Sequence, residues 1–119
     1  MSPERARVFV AEDNERWQSM IQDLLEDEGH SVILSAGNLE EAMAAVERLN
    51  ELGVQVATLD GNLNEHDTSG YDGQSVLNAI RAKAPKVKTV GLSILSVPGV
   101  DVDLGKDNCV DLGKVVKEL

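Results

Sequence analysis

The chain has 119 residues, with 11 Lys and Arg against 21 Asp and Glu, giving a formal net charge of −10. That length suits one domain, expected over residues 1–119, and 42 % hydrophobic residues suffice for a core, which excludes a disordered chain. The acidic balance and the scarcity of aromatics (Phe9, Trp17 and Tyr71) exclude a binder of nucleic-acid phosphates, a base-stacking platform and a ligand of anionic membranes.

In chain order, Val8-Phe9-Val10-Ala11 is a continuous apolar run and predicts a strand buried on both faces, ending at Glu12-Asp13-Asn14. Asn14 is the expected N-cap of a helix whose stripe is Trp17, Met20, Ile21, Leu24 and Leu25, stopped at Gly29. Residues 31–34 predict a second strand. A helix from Asn38 follows, with Leu39, Ala42, Met43, Val46 and Leu49 on one face, ending at Gly53. Residues 54–59 predict a third strand running into Asp60, and 61–70 a long polar loop. Val76, Leu77, Ile80 and Ala84 mark a third helix closed before Pro85. Residues 87–92 predict a fourth strand, 100–104 a weaker fifth, and 111–119 a last helix on Leu112, Val115, Val116 and Leu119. The lone Cys109 excludes an internal disulfide, and no apolar run nears the roughly 20 residues of a membrane span. A cytoplasmic protein is expected.

Alternating strands and helices specify an α/β fold, a doubly wound parallel sheet covered on both faces, with ligands at the carboxyl ends of its strands. Glu12 and Asp13 follow the first strand and Asp60 the third, and those strands are neighbours in such a sheet. Three carboxylates held close repel one another unless a cation neutralises them, and hard oxygen donors suit Mg²⁺. Ser93 ends the fourth predicted strand and Lys106 the fifth. A hydroxyl and an ammonium beside a metal-bound carboxylate are suited to the oxygens of a phosphoryl group.

With those residues in place, the chain resembles the receiver domain of two-component response regulators over essentially its whole length. The anchors are Val10-Ala11-Glu12-Asp13-Asn14, Leu59-Asp60 followed by Gly70-Tyr71-Asp72-Gly73, then Leu92-Ser93, then Lys106. The resemblance implies a flavodoxin-like five-stranded sheet of order 2-1-3-4-5. It also implies a phosphorylation switch in which Asp60 accepts a phosphoryl group from a sensor histidine kinase, a phosphotransfer protein or a small phosphodonor. Glu12, Asp13, Asp60 and the backbone carbonyl of Asn62 would hold Mg²⁺. Lys106 would pair with Asp60 and then with the phosphoryl group, while Ser93 would hydrogen-bond a phosphoryl oxygen. Such a domain catalyses its own phosphorylation and dephosphorylation and is not otherwise an enzyme.

Four features depart from the family's pattern. The loop between Asp60 and Asp72 is long; its likeness to a calcium loop fails because Glu65 stands at the turn-glycine position and Tyr71 at the bidentate acid. Only twelve residues, 94–105, separate Ser93 from Lys106, so the fourth helix is expected to be missing or reduced to a turn. Asp103 occupies the place of an aromatic switch residue. Ile94 stands where a small residue is usual, and Asp107 where proline is usual, with an acid free to compete for the Lys106 ammonium. These losses fall in the half that reads the site, which raises a second reading, a pseudo-receiver that binds partners without being phosphorylated. A phosphatase built on Asp60 is disfavoured because Asn62 cannot act as its general acid. The chain ends near Leu119 with no effector domain attached, so a stand-alone receiver, or an excised one, is expected. A homodimer through Ile94, Leu95 and Val97 is a further expectation.

Overall fold

The computed structural model describes residues 5–63, 71–94 and 96–119. Strand β1 (Arg7–Ala11) leads to α1 (Glu15–Asp27), β2 (Ser31–Ala36), α2 (Leu39–Val46), β3 (Val56–Leu59) and α3 (Tyr71–Lys83). Then come β4 (Lys88–Gly91), β5 (Val102–Asp103), a 3₁₀ helix (Lys106–Asp111) and α4 (Leu112–Lys117). The five strands form one sheet of order β2-β1-β3-β4-β5, every neighbouring pair parallel. This is the expected doubly wound, flavodoxin-like architecture.

The unbroken apolar run of β1 has a direct cause. Phe9 and Ala11 point to one face, joining Ala57 and Leu59 of β3 beneath α2 and α3. Val8 and Val10 point to the other, joining Val56 and Val90 beneath Ile21 and Leu25 of α1 and Leu112 and Val116 of α4. Both faces are covered, so neither parity of the strand can be polar. Phe9 is fully buried, and truncating such a side chain costs about 3–5 kcal/mol.

Local signals set the helix ends. Asn14 caps α1, its Oδ1 accepting from Arg16 N at 3.0 Å and Trp17 N at 3.1 Å; Asn38 caps α2 through Glu41 N at 2.8 Å. Gly29, at φ 87°, takes the left-handed turn that sends the chain from α1 into β2.

Several expectations need correction. The stripes of α1 and α2 included Met20 and Met43, yet both are exposed and sit at the margins of their apolar faces. Helix α2 stops at Val46; a run of turns then carries Leu49 into the core and ends with Val54 N donating to Leu49 O, so β3 starts at Val56. The second strand extends to Ala36, two residues beyond the run read from sequence, and the fifth is confined to Val102–Asp103. Lys106 opens a 3₁₀ helix that sequence reading missed. Of the long polar loop, residues 64–70 lie outside the described residues.

No helix stands between β4 and β5 among the described residues, as the short spacing predicted. A strap with a turn at Pro98–Gly99 takes its place. It is tied to α3 by Gln74 Nε2 donating to Pro98 O (2.7 Å) and an Arg81 amine donating to Gly99 O (2.9 Å). None of the described helices is long and apolar enough to cross a membrane.

Candidate functional site

The sheet brings Glu12, Asp13, Asp60, Ser93 and Lys106 to its carboxyl edge. Each is placed by backbone pairing that prolongs the ladder past the formal strand ends. Glu12 N donates to Ala36 O, Asp60 N to Ala11 O (both 3.0 Å), and Leu92 N to Leu59 O at 2.8 Å. Beyond β5, Leu104 and Gly105 both donate to Gly91 O, and Lys106 N reaches Ser93 O at 3.1 Å. Gly105, at φ 79°, makes the bend that aims Lys106 back over the sheet. Lys106 thus takes its station three residues after β5 rather than at the strand end, as sequence reading had it.

Glu12, Asp13 and Asp60 each offer a carboxylate oxygen, and these atoms lie within 4.8 Å of one another. The Lys106 ammonium stands between two of them, 3.0 Å from Glu12 Oε1 and 3.2 Å from Asp60 Oδ2. Its side chain is only 9 % exposed, so this lysine is not the solvated one its surroundings in sequence suggest. Those two acids are its ion-pair partners among the described residues; Asp107 is exposed and is not one of them. Asn62 N donates to Asp60 Oδ1 at 3.3 Å, and Asn14 N to Glu12 Oε2 at 3.1 Å.

Burial, then the Asp60 carboxylate beside it, push Glu12 up to about 8 against the Asn14 N–H, which favours its charged form. For Lys106, burial acts to lower the pKa, but Glu12 and Asp60 outweigh it and hold the ammonium above its ordinary value. Burial beside Asp60 thus favours the neutral form of Glu12, and the Lys106 ammonium offsets the charge the acids carry. The same oxygens fit a hard divalent cation: three carboxylates from three residues, with Glu12 Oε1 buried and without a hydrogen bond of good angle despite its ion pair.

Two glycines let the backbone close around Asp60. A Cβ on Gly73 would come within 2.7 Å of both Asp60 O and Gly61 Cα, where Gly73 N donates to Gly61 O at 2.9 Å. A Cβ on Gly61 would meet Ser93 Oγ at 3.1 Å, which puts the buried Ser93 hydroxyl against the loop that follows Asp60.

Trp17 was read only as part of the α1 stripe. It packs against the core beneath α1, and its ring also lies under the Lys106 ammonium, with Nζ 5.0 Å from the ring centroid. A groove of about 440 Å³ runs past Asn14, Trp17, Ile94 and Lys106, with Ile94 83 % exposed at its rim. Of the proposed dimer patch, Val97 is buried and unavailable, and Leu95 lies outside the described residues. Asp103, in place of an aromatic, accepts from Val97 N at 3.3 Å and so holds the strap.

No protein-family model matches the chain. It is 27 % identical over 105 residues to the chemotaxis protein CheY of Listeria monocytogenes, covering 88 % of this chain and 82 % of that one. The fold matches a CheY-like receiver domain from Methanospirillum hungatei with a TM-score of 0.76 at 22 % identity, covering 96 % of this chain and 92 % of the other. It also matches a chain of the CheX–CheY–BeF₃–Mg²⁺ complex of Borrelia burgdorferi, with a TM-score of 0.64 at 20 % identity over 76 % of this chain and 63 % of that chain. Sequence, topology and the acid cluster at the strand ends point the same way: the chain has the fold of a CheY-like receiver domain and is similar in sequence to CheY.

Proposed function

We propose that this receiver is a phosphorylation switch whose acceptor is Asp60. The observation that carries the reading is the Lys106 ammonium held between Glu12 and Asp60, with Asp13 in the same acid cluster. An Asp60 carboxylate oxygen attacks phosphorus in line, and an O–P bond forms as the donor's P–N bond breaks. The imidazole of a phosphohistidine on a sensor kinase or phosphotransfer protein leaves with the electron pair; with a small acyl phosphate the carboxylate leaves. Lys106 offers its charge to the equatorial oxygens, and the Ser93 hydroxyl donates to one of them. Glu12, Asp13, Asp60 and the Asn62 carbonyl would hold Mg²⁺, which when bound supplies further neutralisation of the phosphoryl charge. Hydrolysis of the same bond resets the switch, so the chain acts on itself and is not an enzyme toward other substrates. The setting is cytoplasmic, residues 1–119 act as one receiver unit, and the phosphorylated form is read by a downstream protein.

The second reading, a pseudo-receiver, draws support from Asp103. It is bound to the strap at Val97 N, where the family's pattern has an aromatic that moves with the hydroxyl position. One experiment separates the two: intact-mass spectrometry after treatment with acetyl phosphate, with and without Mg²⁺. A single labile adduct on the wild type that needs Mg²⁺ and is absent from Asp60→Asn supports the switch. No adduct, or an equal adduct on Asp60→Asn, supports the pseudo-receiver.

A further inference from the structure

We propose that Trp17 is a positioning residue for Lys106, keeping its ammonium on the Glu12–Asp60 pair. Lysine is a flexible side chain with four rotatable bonds and a strongly hydrated head, so a backbone anchor alone does not fix its charge. Here the backbone anchor that ties Lys106 to the sheet is a hydrogen bond from Lys106 N to Ser93 O, after a glycine with positive φ. The next residue is the exposed Asp107, an acid that offers the ammonium a competing direction.

Trp17 supplies the missing restraint, and it is tied to the same acids. Glu12 Oε2 accepts from Asn14 N (3.1 Å), and Asn14 Oδ1 accepts from Trp17 N (3.1 Å). The Trp17 ring carries the Lys106 ammonium at 5.0 Å, and that ammonium returns to Glu12 Oε1 at 3.0 Å. The four residues close a ring, so the position of the cation is fixed relative to the carboxylates by α1 itself. Attraction between a cation and the face of an indole is strongest where water is excluded, and the Lys106 side chain is 9 % exposed. The face of Trp17 thus screens the ammonium from solvent without taking a hydrogen-bonding site from it. Its three N–H donors remain for the carboxylates and, on the proposed function, for the phosphoryl oxygens.

The consequence for phosphoryl transfer rests on that proposed function; the ring of contacts does not, and the test reads both. Trp17 is the sole tryptophan, so emission reports the surroundings of its ring, the Lys106 contact among them. In metal-free, unphosphorylated protein, Lys106→Met is expected to change the intensity and wavelength of Trp17 emission. A double-mutant cycle of Trp17→Leu with Lys106→Met in chemical denaturation is expected to be non-additive. With acetyl phosphate, Trp17→Leu is expected to slow adduct formation roughly tenfold, and Trp17→Phe, which keeps an aromatic face, to recover most of the rate. Additive stabilities with unchanged emission would overturn the proposal, as would equal rates for Trp17→Leu and Trp17→Phe. If the wild type takes no adduct, the proposed function fails, and emission and the cycle still decide whether Trp17 holds Lys106.

Discussion

The Asp101 carboxylate takes the place of a strand for Thr89: Oδ2 accepts the Thr89 backbone N–H at 2.7 Å and its hydroxyl at 3.0 Å, while Asp101 N donates back to Thr89 Oγ1 at 3.1 Å. Strand β5 pairs only Val90 with Val102 and Gly91 with Asp103, so Thr89, which is fully buried, stands beyond the end of the ladder. A side chain satisfies the donor that the short fifth strand leaves open.

Asp101→Ala is therefore expected to destabilise the fold by about 2 kcal/mol, since a buried N–H loses its acceptor. Burial opposes ionisation of Asp101, but the Thr89 N–H and hydroxyl, with Arg81, outweigh it and hold the carboxyl below its ordinary value of 3.8. A depressed pKa in the folded state contributes stability that is fully present above the unfolded value and is lost as pH falls through the folded one. Urea denaturation of wild type and Asp101→Ala at pH 7 and below pH 4 checks this. The gap in free energy is expected to narrow at the acid end, and a constant gap would assign it to shape rather than charge.

Gly73→Ala tests how closely α3 is packed against the loop after Asp60. The added methyl meets main-chain atoms at 2.7 Å, and no side-chain rotation relieves such a contact. Destabilisation of about 1–3 kcal/mol is expected, together with loss of Asp60 reactivity toward acetyl phosphate, because residues 60–61 are what must shift. Gly99→Ala is the control away from the acids; its cost is expected to leave that reactivity intact.

The two-sided burial of β1, the cap at Asn14 and the strand-end acids were all legible because each rests on neighbours in sequence. What stayed hidden depends on partners far along the chain. Trp17 matched the α1 stripe by period, but only the return of the chain at Lys106 decides that its ring faces an ammonium. Val54 continues the apolar pattern of 56–59, yet its N–H is taken by Leu49, so the strand starts later. The absence of a helix between β4 and β5 among the described residues followed from counting residues, whereas the device found there, Asp101 and Asp103 holding the strap, has no local signature. Ser93 and Lys106, unremarkable singly, gained their meaning from order along the chain.

His30, just past the turn that ends α1, joins three parts of the molecule. Its Nδ1 accepts from Ala6 N at 2.9 Å, which leaves the proton on Nε2, 2.9 Å from Gly113 O of α4. Both partners are buried, and His30 itself is 3 % exposed. His30→Ala is expected to cost about 3 kcal/mol, since two main-chain groups lose their partner and a cavity opens. The check beyond denaturation is amide exchange: protection at Ala6 is expected to fall in the variant by more than the global loss of stability accounts for. Uniform loss of protection across β1 would argue against a local bridge.

On the proposed function, Mg²⁺ and the Lys106 ammonium would address the same carboxylates, and this sets the sign of the last prediction. A cation that binds the folded acids and not the unfolded chain raises stability by about 1.4 kcal/mol at ten times its dissociation constant. A thermal midpoint that rises with Mg²⁺ and returns with EDTA is the expected outcome for the wild type. Asp13→Ala removes one carboxylate from the half-buried rim of the cluster and is expected to abolish most of the shift. Lys106→Met has the opposite effect on affinity. With the ammonium gone from its positions 3.0 Å from Glu12 and 3.2 Å from Asp60, the cluster carries one more uncompensated negative charge, so Mg²⁺ binds more tightly. A titration followed by Trp17 emission or by calorimetry measures both variants. An equal Mg²⁺ response in wild type and Asp13→Ala would place the cation elsewhere, and weaker binding in Lys106→Met would mean that the lysine supports the metal rather than opposing it.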